Sequence, residues 1–75
     1  MKGYLVYFDG PNGEDMGHRV FLDELKAAEY AVEYGGKMVG KEFSALSETI
    51  QWFNEHILDE IYPGYLFFME IEIEE

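Results

Sequence analysis

The stretch FFMEIEIEE, residues 67–75, alternates between apolar and acidic side chains over most of its length. Four apolar residues share one parity, Phe67, Met69, Ile71 and Ile73, and three acidic residues share the other, Glu70, Glu72 and Glu74. Successive side chains of a β-strand point to opposite faces of the sheet. The pattern therefore predicts a strand with one apolar and one acidic face, which begins near Tyr65, after the break at Pro63-Gly64.

Charge is distributed unevenly along the 75-residue chain, whose formal net charge is −11. Residues 1–41 hold seven acidic residues and all five basic ones, whereas residues 42–75 hold nine acidic residues and no Lys or Arg. Free nucleic acid and anionic membrane surfaces would be repelled by this charge, so basic protein surfaces and cations remain as partners.

The composition predicts one folded domain, residues 1–75, in the cytoplasm. The chain is 48% hydrophobic and 17% aromatic, which is too apolar for a disordered segment despite its charge. It has no cysteine, its first ten residues do not resemble a signal peptide, and its longest apolar run is far below the ~20 residues that span a bilayer. A domain of this size buries only roughly 60% of its unfolded surface, so its stability is marginal.

The predicted elements follow in the order ββαβαβ, or βαβαβ if the second strand is absent. Residues 4–8 predict a strand buried on both faces, and residues 18–21 predict a second short strand that completes a hairpin. Residues 37–43 predict a further strand, weakened by Gly40. Either order predicts an α+β fold, with a small mixed or antiparallel sheet of three to four strands and two helices packed on one face.

The first helix is predicted to begin at Asp23 and Glu24 and to end at Gly35-Gly36. Its apolar residues lie on two arcs: Leu25, Ala28 and Val32 on one, Ala27, Tyr30, Ala31 and Tyr34 on the other. Either both arcs belong to the core, or the tyrosines lie in an interface with another protein.

The second helix is predicted to start at a cap formed by Ser44 or Ser47 and to run to about Ile61. Helical periodicity assigns one face to the core: Leu46, Ile50, Phe53, Ile57 and Ile61. The far side carries Glu48, Trp52, Glu55 and Asp59. Trp52 is thus either an exposed binding anchor or covered by a neighbouring loop, such as the GPNGED segment.

The sequence predicts no catalytic residue, metal site or cofactor, so it gives an enzyme no support and leaves it only as an alternative. His56 and Asp59 are spaced as two metal ligands on a helix, but such pairs are common by chance. The acidic loop at residues 9–15 does not match the spacing of a calcium-binding loop.

The acidic C-terminal half predicts an interaction module that binds a basic protein surface. We expect its contact residues to form one continuous electronegative face: Glu48, Trp52, Glu55, Asp59, Glu70, Glu72 and Glu74. Such a face could occupy the nucleic-acid channel of a nuclease by presenting carboxylates where phosphates would lie. The purely structural alternative for residues 70–74 is an edge strand whose charged side chains protect it from aggregation.

In size, acidity and lack of a catalytic signature, the chain resembles the small inhibitors that phages and mobile elements use against host nucleases, including anti-CRISPR and anti-restriction proteins. The resemblance implies an inhibitor of the DNA-mimic kind and assigns no residue. One alternative is a homo-oligomeric structural or regulatory protein, joined through the tyrosines of the first helix and an open sheet edge. Another is a small enzyme or ligand-binding domain, with an aromatic pocket built from Tyr4, Tyr7, Tyr30 and Tyr65.

Overall fold

The computed structural model describes residues 1–10, 15–55 and 66–74. Within these ranges the elements are β1 (Lys2–Asp9), β2 (Asp15–Phe21), α1 (Glu24–Val39), α2 (Leu46–Glu55) and β3 (Leu66–Glu72). The α+β class, with three strands and two helices, is confirmed. The observed order is ββααβ, so the strand predicted between the helices is wrong.

The three strands form one antiparallel sheet in the order β2-β1-β3. The central strand places Tyr4 between Phe21 and Glu70 in the register of the two ladders. The hairpin predicted from the turn-rich segment after residue 9 is therefore confirmed, and the C-terminal strand pairs with the first.

The two faces of β1 differ in how well they are covered. Val6 and Phe8 point towards the helices and are 0% and 1% exposed. Leu5 and Tyr7 point the other way and are only half-buried. The prediction of a strand buried on both faces is wrong for the second face, because both helices pack on the first.

The alternation predicted for β3 is present, and the register shows where each parity points. Leu66 and Phe68 lie opposite Phe8 and Val6, on the side of the helices. Phe67 lies opposite Tyr7 and therefore on the other side of the sheet. The odd-numbered residues of β3, which are all apolar, thus lie on the face without helices. The even-numbered residues lie on the helix side, where Leu66 and Phe68 come before the acidic Glu70 and Glu72.

Helix α1 begins as predicted but ends later. The Asp23 carboxylate caps it by accepting hydrogen bonds from the backbone N–H groups of Leu25 (2.9 Å) and Lys26 (3.4 Å). The helix continues to Val39 and is closed by Gly40, whose φ of 70° is left-handed and whose N–H donates to the Gly36 carbonyl. The predicted end at Gly35-Gly36 and the predicted strand at residues 37–43 are both wrong.

The glycine pair lies inside α1 because neighbouring atoms leave no space for a side chain. A Cβ on Gly36 would lie 2.5 Å from the Lys41 carbonyl oxygen, and one on Gly35 would lie 3.2 Å from the side chains of Phe53 and Thr49. The pair therefore lets α2 and the segment before it pack closely against α1.

The core lies between the helices and one face of the sheet. Its buried apolar residues in the described ranges are Val6, Phe8, Ala27, Ala31, Phe53 and Leu66. The tyrosine arc of α1 packs on this cluster, since the Tyr34 ring lies 5.2 Å from Phe8 and stacks on Tyr30 at 5.3 Å. These tyrosines therefore pack against the core while staying partly exposed, and the oligomer contact predicted for them stays a prediction. On the other arc Leu25 is 68% exposed.

Candidate binding groove

A groove of about 370 Å³ opens where the segment after α1 passes the outer side of α2. We call it the α2 groove. Its lining combines three carboxylates, two aromatic rings, one amide and one cation: Glu42, Glu48, Glu55, Phe43, Trp52, Gln51 and Lys41. Such a lining fits a cationic group of a partner, because carboxylates form charge-assisted hydrogen bonds with cations and aromatic rings attract them.

Trp52 forms one wall of the α2 groove and is half-buried. Its ring lies 5.3 Å from Phe53 in a nearly perpendicular arrangement and 6.0 Å from Phe43. The alternative in which a loop covers Trp52 is supported, but the loop is the segment at residues 41–43. The GPNGED segment lies largely outside the described residues, at positions 11–14.

A cation of the chain itself lies beside this wall. The Lys41 Nζ atom is 5.8 Å from the centroid of the Trp52 ring. An ammonium within about 6 Å of an indole face is attracted by the ring quadrupole, and a guanidinium is attracted in the same way. The Trp52 ring therefore already has a cation beside it.

Glu48 is fixed in the first turn of α2 by Ser44. Its Oε2 atom accepts hydrogen bonds from the Ser44 hydroxyl (2.6 Å) and from the Ser44 backbone N–H (3.3 Å). The bond from the Ser44 hydroxyl contributes most, and together the two bonds hold the pKa of the Glu48 carboxyl below its ordinary value. Ser44 thus donates both bonds and orients a carboxylate, which differs from the predicted cap, in which the serine hydroxyl accepts a hydrogen bond from a helix N–H.

Glu55 lies on the same side of α2, two turns beyond Glu48. Its carboxylate accepts a hydrogen bond of 3.1 Å from the Gln51 side chain. Residues four and seven positions apart share a helix face, so Glu48, Trp52 and Glu55 come together as predicted. Asp59, the fourth predicted residue of this face, lies outside the described residues.

The acidic residues of β3 lie elsewhere, beside the N-terminus. Lys2 Nζ lies 3.6 Å from the Glu70 carboxylate, and the terminal ammonium of Met1 lies 3.3 Å from that of Glu72. Pairing of β1 with β3 brings these cations in from the far end of the chain. Glu74 is exposed. The acidic residues of the strand are therefore partly neutralised, although no basic residue is near them in sequence.

The predicted contact carboxylates that the structure describes belong to α2 and to the C-terminal segment that begins with β3. Leu66 pairs with Phe8, whose ring lies 5.7 Å from Phe53 of α2, so α2 packs over the start of β3. Glu70 and Glu72 lie four and six residues further on, about 13 and 20 Å along the strand. The continuous face expected to join them to the α2 groove stays a prediction.

Sequence reasoning missed four residues of the groove: Lys41, Glu42, Phe43 and Gln51. Three of them belong to the segment predicted as a strand, which would have placed their side chains on the sheet. The aromatic pocket predicted from four tyrosines is not formed, because Tyr4 and Tyr7 point to opposite faces of β1. Tyr65 lies outside the described residues.

The described ranges contain neither a cluster of metal ligands nor a membrane-spanning helix. No three His, Asp or Glu side chains there are grouped as metal ligands would be. Neither α1 nor α2, the helices that these ranges contain, has the length and hydrophobicity needed to cross a membrane.

The arrangement of the α2 groove can bind a cation between carboxylates and an indole ring. Comparison of the chain with family models, with curated proteins and with solved structures gave no match.

Proposed function

We propose that the protein is an acidic interaction module whose α2 groove binds a basic segment of a partner protein. The observation that carries the proposal is the position of Lys41 beside the Trp52 ring, on the helix side that also bears Glu48 and Glu55. An arginine or lysine of the partner would take the place of Lys41, with its charge facing the ring and its N–H groups facing the carboxylates.

The net charge of −11 supports the same partner class. An acidic chain attracts a basic surface over a Debye length of about 8 Å at physiological salt and raises its association rate. Glu70, Glu72 and Glu74 provide a second acidic group at the end of β3 for a partner that extends beyond the groove.

A nucleic-acid-binding protein is the partner that this chemistry favours. Its basic channel normally binds phosphates, which carboxylates can replace as the source of negative charge. The protein would then act in the cytoplasm as an inhibitor that occupies the channel, in the manner of a DNA mimic used against host nucleases.

Binding of a defined probe tests the groove directly. An arginine-rich peptide labelled with a fluorophore is titrated with the protein at low salt, and the contact is mapped by backbone NMR shifts. We expect the shifts to centre on residues 41–43 and 48–55. Glu48→Gln and Glu55→Gln should each weaken binding by up to about fivefold, the range for exposed ion pairs.

Glu29→Gln is the matched control, because Glu29 is an exposed carboxylate on α1 and does not line the α2 groove. Glu29→Gln removes the same charge at a position outside the α2 groove, so it should change the affinity for the peptide far less. Equal effects of all three variants, or shifts confined to residues 70–74, would refute the groove as the binding site. Inhibition of purified nucleases then tests the partner class separately.

A further inference from the structure

The arc of α1 that carries Leu25 lines a second groove, at the place where this helix meets the start of α2. The groove has a volume of about 490 Å³, and we call it the α1 groove. Its apolar lining consists of Leu25, Ala28 and Val32 from α1, together with Ala45 and Leu46 at the start of α2. Leu25 is 68% exposed, so this apolar lining is only partly used by the fold itself.

We propose that the α1 groove binds a basic amphipathic helix of a partner protein. Leu25, Ala28 and Val32 stand at positions i, i+3 and i+7 of α1, which places them in one stripe about 10 Å long, or two helical turns. A helix laid along this stripe presents its own apolar side chains at the same spacing. Grooves lined by an apolar helix face bind partner helices through anchors at i, i+3, i+4 and i+7.

Two small side chains leave room for the anchors of the partner helix. Ala28 lies between Leu25 and Val32 on α1, and Ala45 lies next to Leu46. Helices pack with their axes about 8–10 Å apart, depending on the side chains at the contact, and alanine permits a close approach. An apolar side chain of the partner would enter between Leu25 and Val32 and remove both from water, which favours binding through the hydrophobic effect.

The charge of the rim identifies the partner helix as basic. Glu29 and Glu33 line the α1 groove, whereas Lys26 and Lys37, the cations of α1, do not. Both carboxylates are exposed, and neither forms an ion pair with another residue of the described ranges. A lysine or arginine beside the apolar stripe of the partner helix would face them. Such charges at the rim of an interface steer association and select the partner.

The same carboxylates disfavour two other occupants. A second copy of the chain would bring two acidic rims together, in a protein whose net charge is −11, and like charges across an interface are unfavourable. An anionic membrane surface would be repelled for the same reason. A basic helix is the occupant that satisfies both the apolar stripe and the rim.

The α1 groove does not depend on the proposed function of the α2 groove. The two grooves have no lining residue in common. The α2 groove requires a cation beside an indole ring, whereas the α1 groove requires apolar anchors at helical spacing. Separate peptides therefore test the two grooves, and a failure of one leaves the other in place.

Titration with a designed peptide tests the α1 groove. The peptide is a labelled helix of about 14 residues, or four turns, with leucine at the anchor positions and lysine elsewhere. A peptide of the same composition in scrambled order keeps the charge but lacks the stripe. We expect backbone NMR shifts on residues 25–33 and 44–46, and an affinity at least about tenfold higher than that of the scrambled peptide. A peptide of the same pattern with glutamate in place of lysine should not bind.

A pair of matched variants locates the contact. Leu25→Lys should weaken binding about tenfold or more, because it removes an apolar side chain and places an ammonium group against a basic helix. Leu22→Lys is the control: Leu22 is 64% exposed and does not line the α1 groove, and the change in charge is the same. It should change the affinity less than about threefold. Far-ultraviolet circular dichroism verifies that both variants are folded.

Four results would overturn the proposal. These are equal losses for Leu25→Lys and Leu22→Lys, equal affinities for the patterned and scrambled peptides, NMR shifts centred on residues 48–55, and no binding at about millimolar concentration. Binding of the glutamate peptide as tight as that of the lysine peptide would overturn the basic character of the partner.

Discussion

The ammonium nitrogen of Lys41 lies 5.8 Å from the centroid of the Trp52 ring, while Phe43 and Phe53 pack on the same indole. Trp52 therefore has two roles. It extends the core outwards from Phe53, and it forms the wall of the α2 groove beside which a cation lies. Helical periodicity places Trp52 opposite the core, but its contact with Phe53, the next residue in the chain, anchors it to the core.

Replacement of Trp52 should cost less stability than replacement of Phe53. We expect Trp52→Ala to lower the free energy of unfolding by about 2 kcal/mol, and Phe53→Ala, which is 1% exposed, by about 3–5 kcal/mol. Urea denaturation followed by circular dichroism measures both, since Trp52 is the single tryptophan and its fluorescence is lost with it. Equal losses would mean that Trp52 is as fully packed as Phe53.

Removal of Lys41 should strengthen binding of a basic peptide. Lys41→Gln removes the cation that competes for the Trp52 ring, and we expect an affinity gain of about threefold at low salt, in keeping with an exposed cation–π contact. Lys26→Gln changes the net charge equally on the exposed side of α1 and serves as the control. If both variants gain alike, the effect comes from net charge and not from the groove.

Acidification should remove the contribution of Glu48 to the start of α2. Its pKa is lowered by the Ser44 hydroxyl and then by the Ser44 backbone N–H. A carboxyl with a lowered folded-state pKa stabilises the fold fully above its unfolded-state value of 4.5, and this contribution is lost as pH falls through the folded-state pKa. Carbon-detected NMR titration should show Glu48 titrating below 4.5. Ser44→Ala should raise the value, and an unchanged titration would contradict the hydrogen bond.

Moderate salt should raise the melting temperature. The chain carries −11 in a small volume, and the Debye length falls from ~30 Å at 0.01 M to ~8 Å at 0.15 M salt, which screens repulsion between carboxylates. The same salt weakens the exposed pairs Lys2–Glu70 and Met1–Glu72, but such pairs contribute little. Calorimetry measures this effect, and a flat or falling melting temperature would mean that the carboxylates are already compensated within the fold.

Local patterns predicted much of the fold. Short-range preferences of the backbone account for three signals: the turn residues after β1, the acidic start of α1 and the break before β3. The end of β1 and the starts of α1 and β3 lie where these signals place them. Helical spacing also brought Glu48, Trp52 and Glu55 to one side of α2, because that relationship depends on the helix alone.

Relationships set by tertiary packing could not be predicted in the same way. The alternation in β3 shows that its faces differ, but only the positions of the helices decide that Leu66 and Phe68 lie in the core. The cations beside Glu70 and Glu72 come from the other end of the chain through strand pairing. Propensity favours ending a helix at a glycine pair, and here close packing overrides that preference.

Gly36→Ala should destabilise the protein although alanine is the better helix former. Propensity alone would favour alanine within α1 by roughly 0.5–1 kcal/mol. The new Cβ would lie 2.5 Å from the Lys41 carbonyl oxygen, however, and Lys41 N–H donates a 2.9 Å hydrogen bond to the Gly36 carbonyl. Relief of the clash must displace the segment that forms one wall of the α2 groove. We therefore expect a loss of about 2 kcal/mol, typical of overpacking.

Gly40→Ala is the control for this substitution. Gly40 has a φ of 70°, but nothing lies within 4 Å of its added Cβ, so only the left-handed conformation is penalised, by about 1–2 kcal/mol. The two variants should differ in the groove: Gly36→Ala should shift the emission of Trp52, since Lys41 and Phe43 move with the segment, whereas Gly40→Ala should change it little. Urea denaturation and fluorescence measure the two effects. A Gly36→Ala variant as stable as the wild type, with unchanged emission, would show that the contact between α1 and residue 41 is looser than the structure places it.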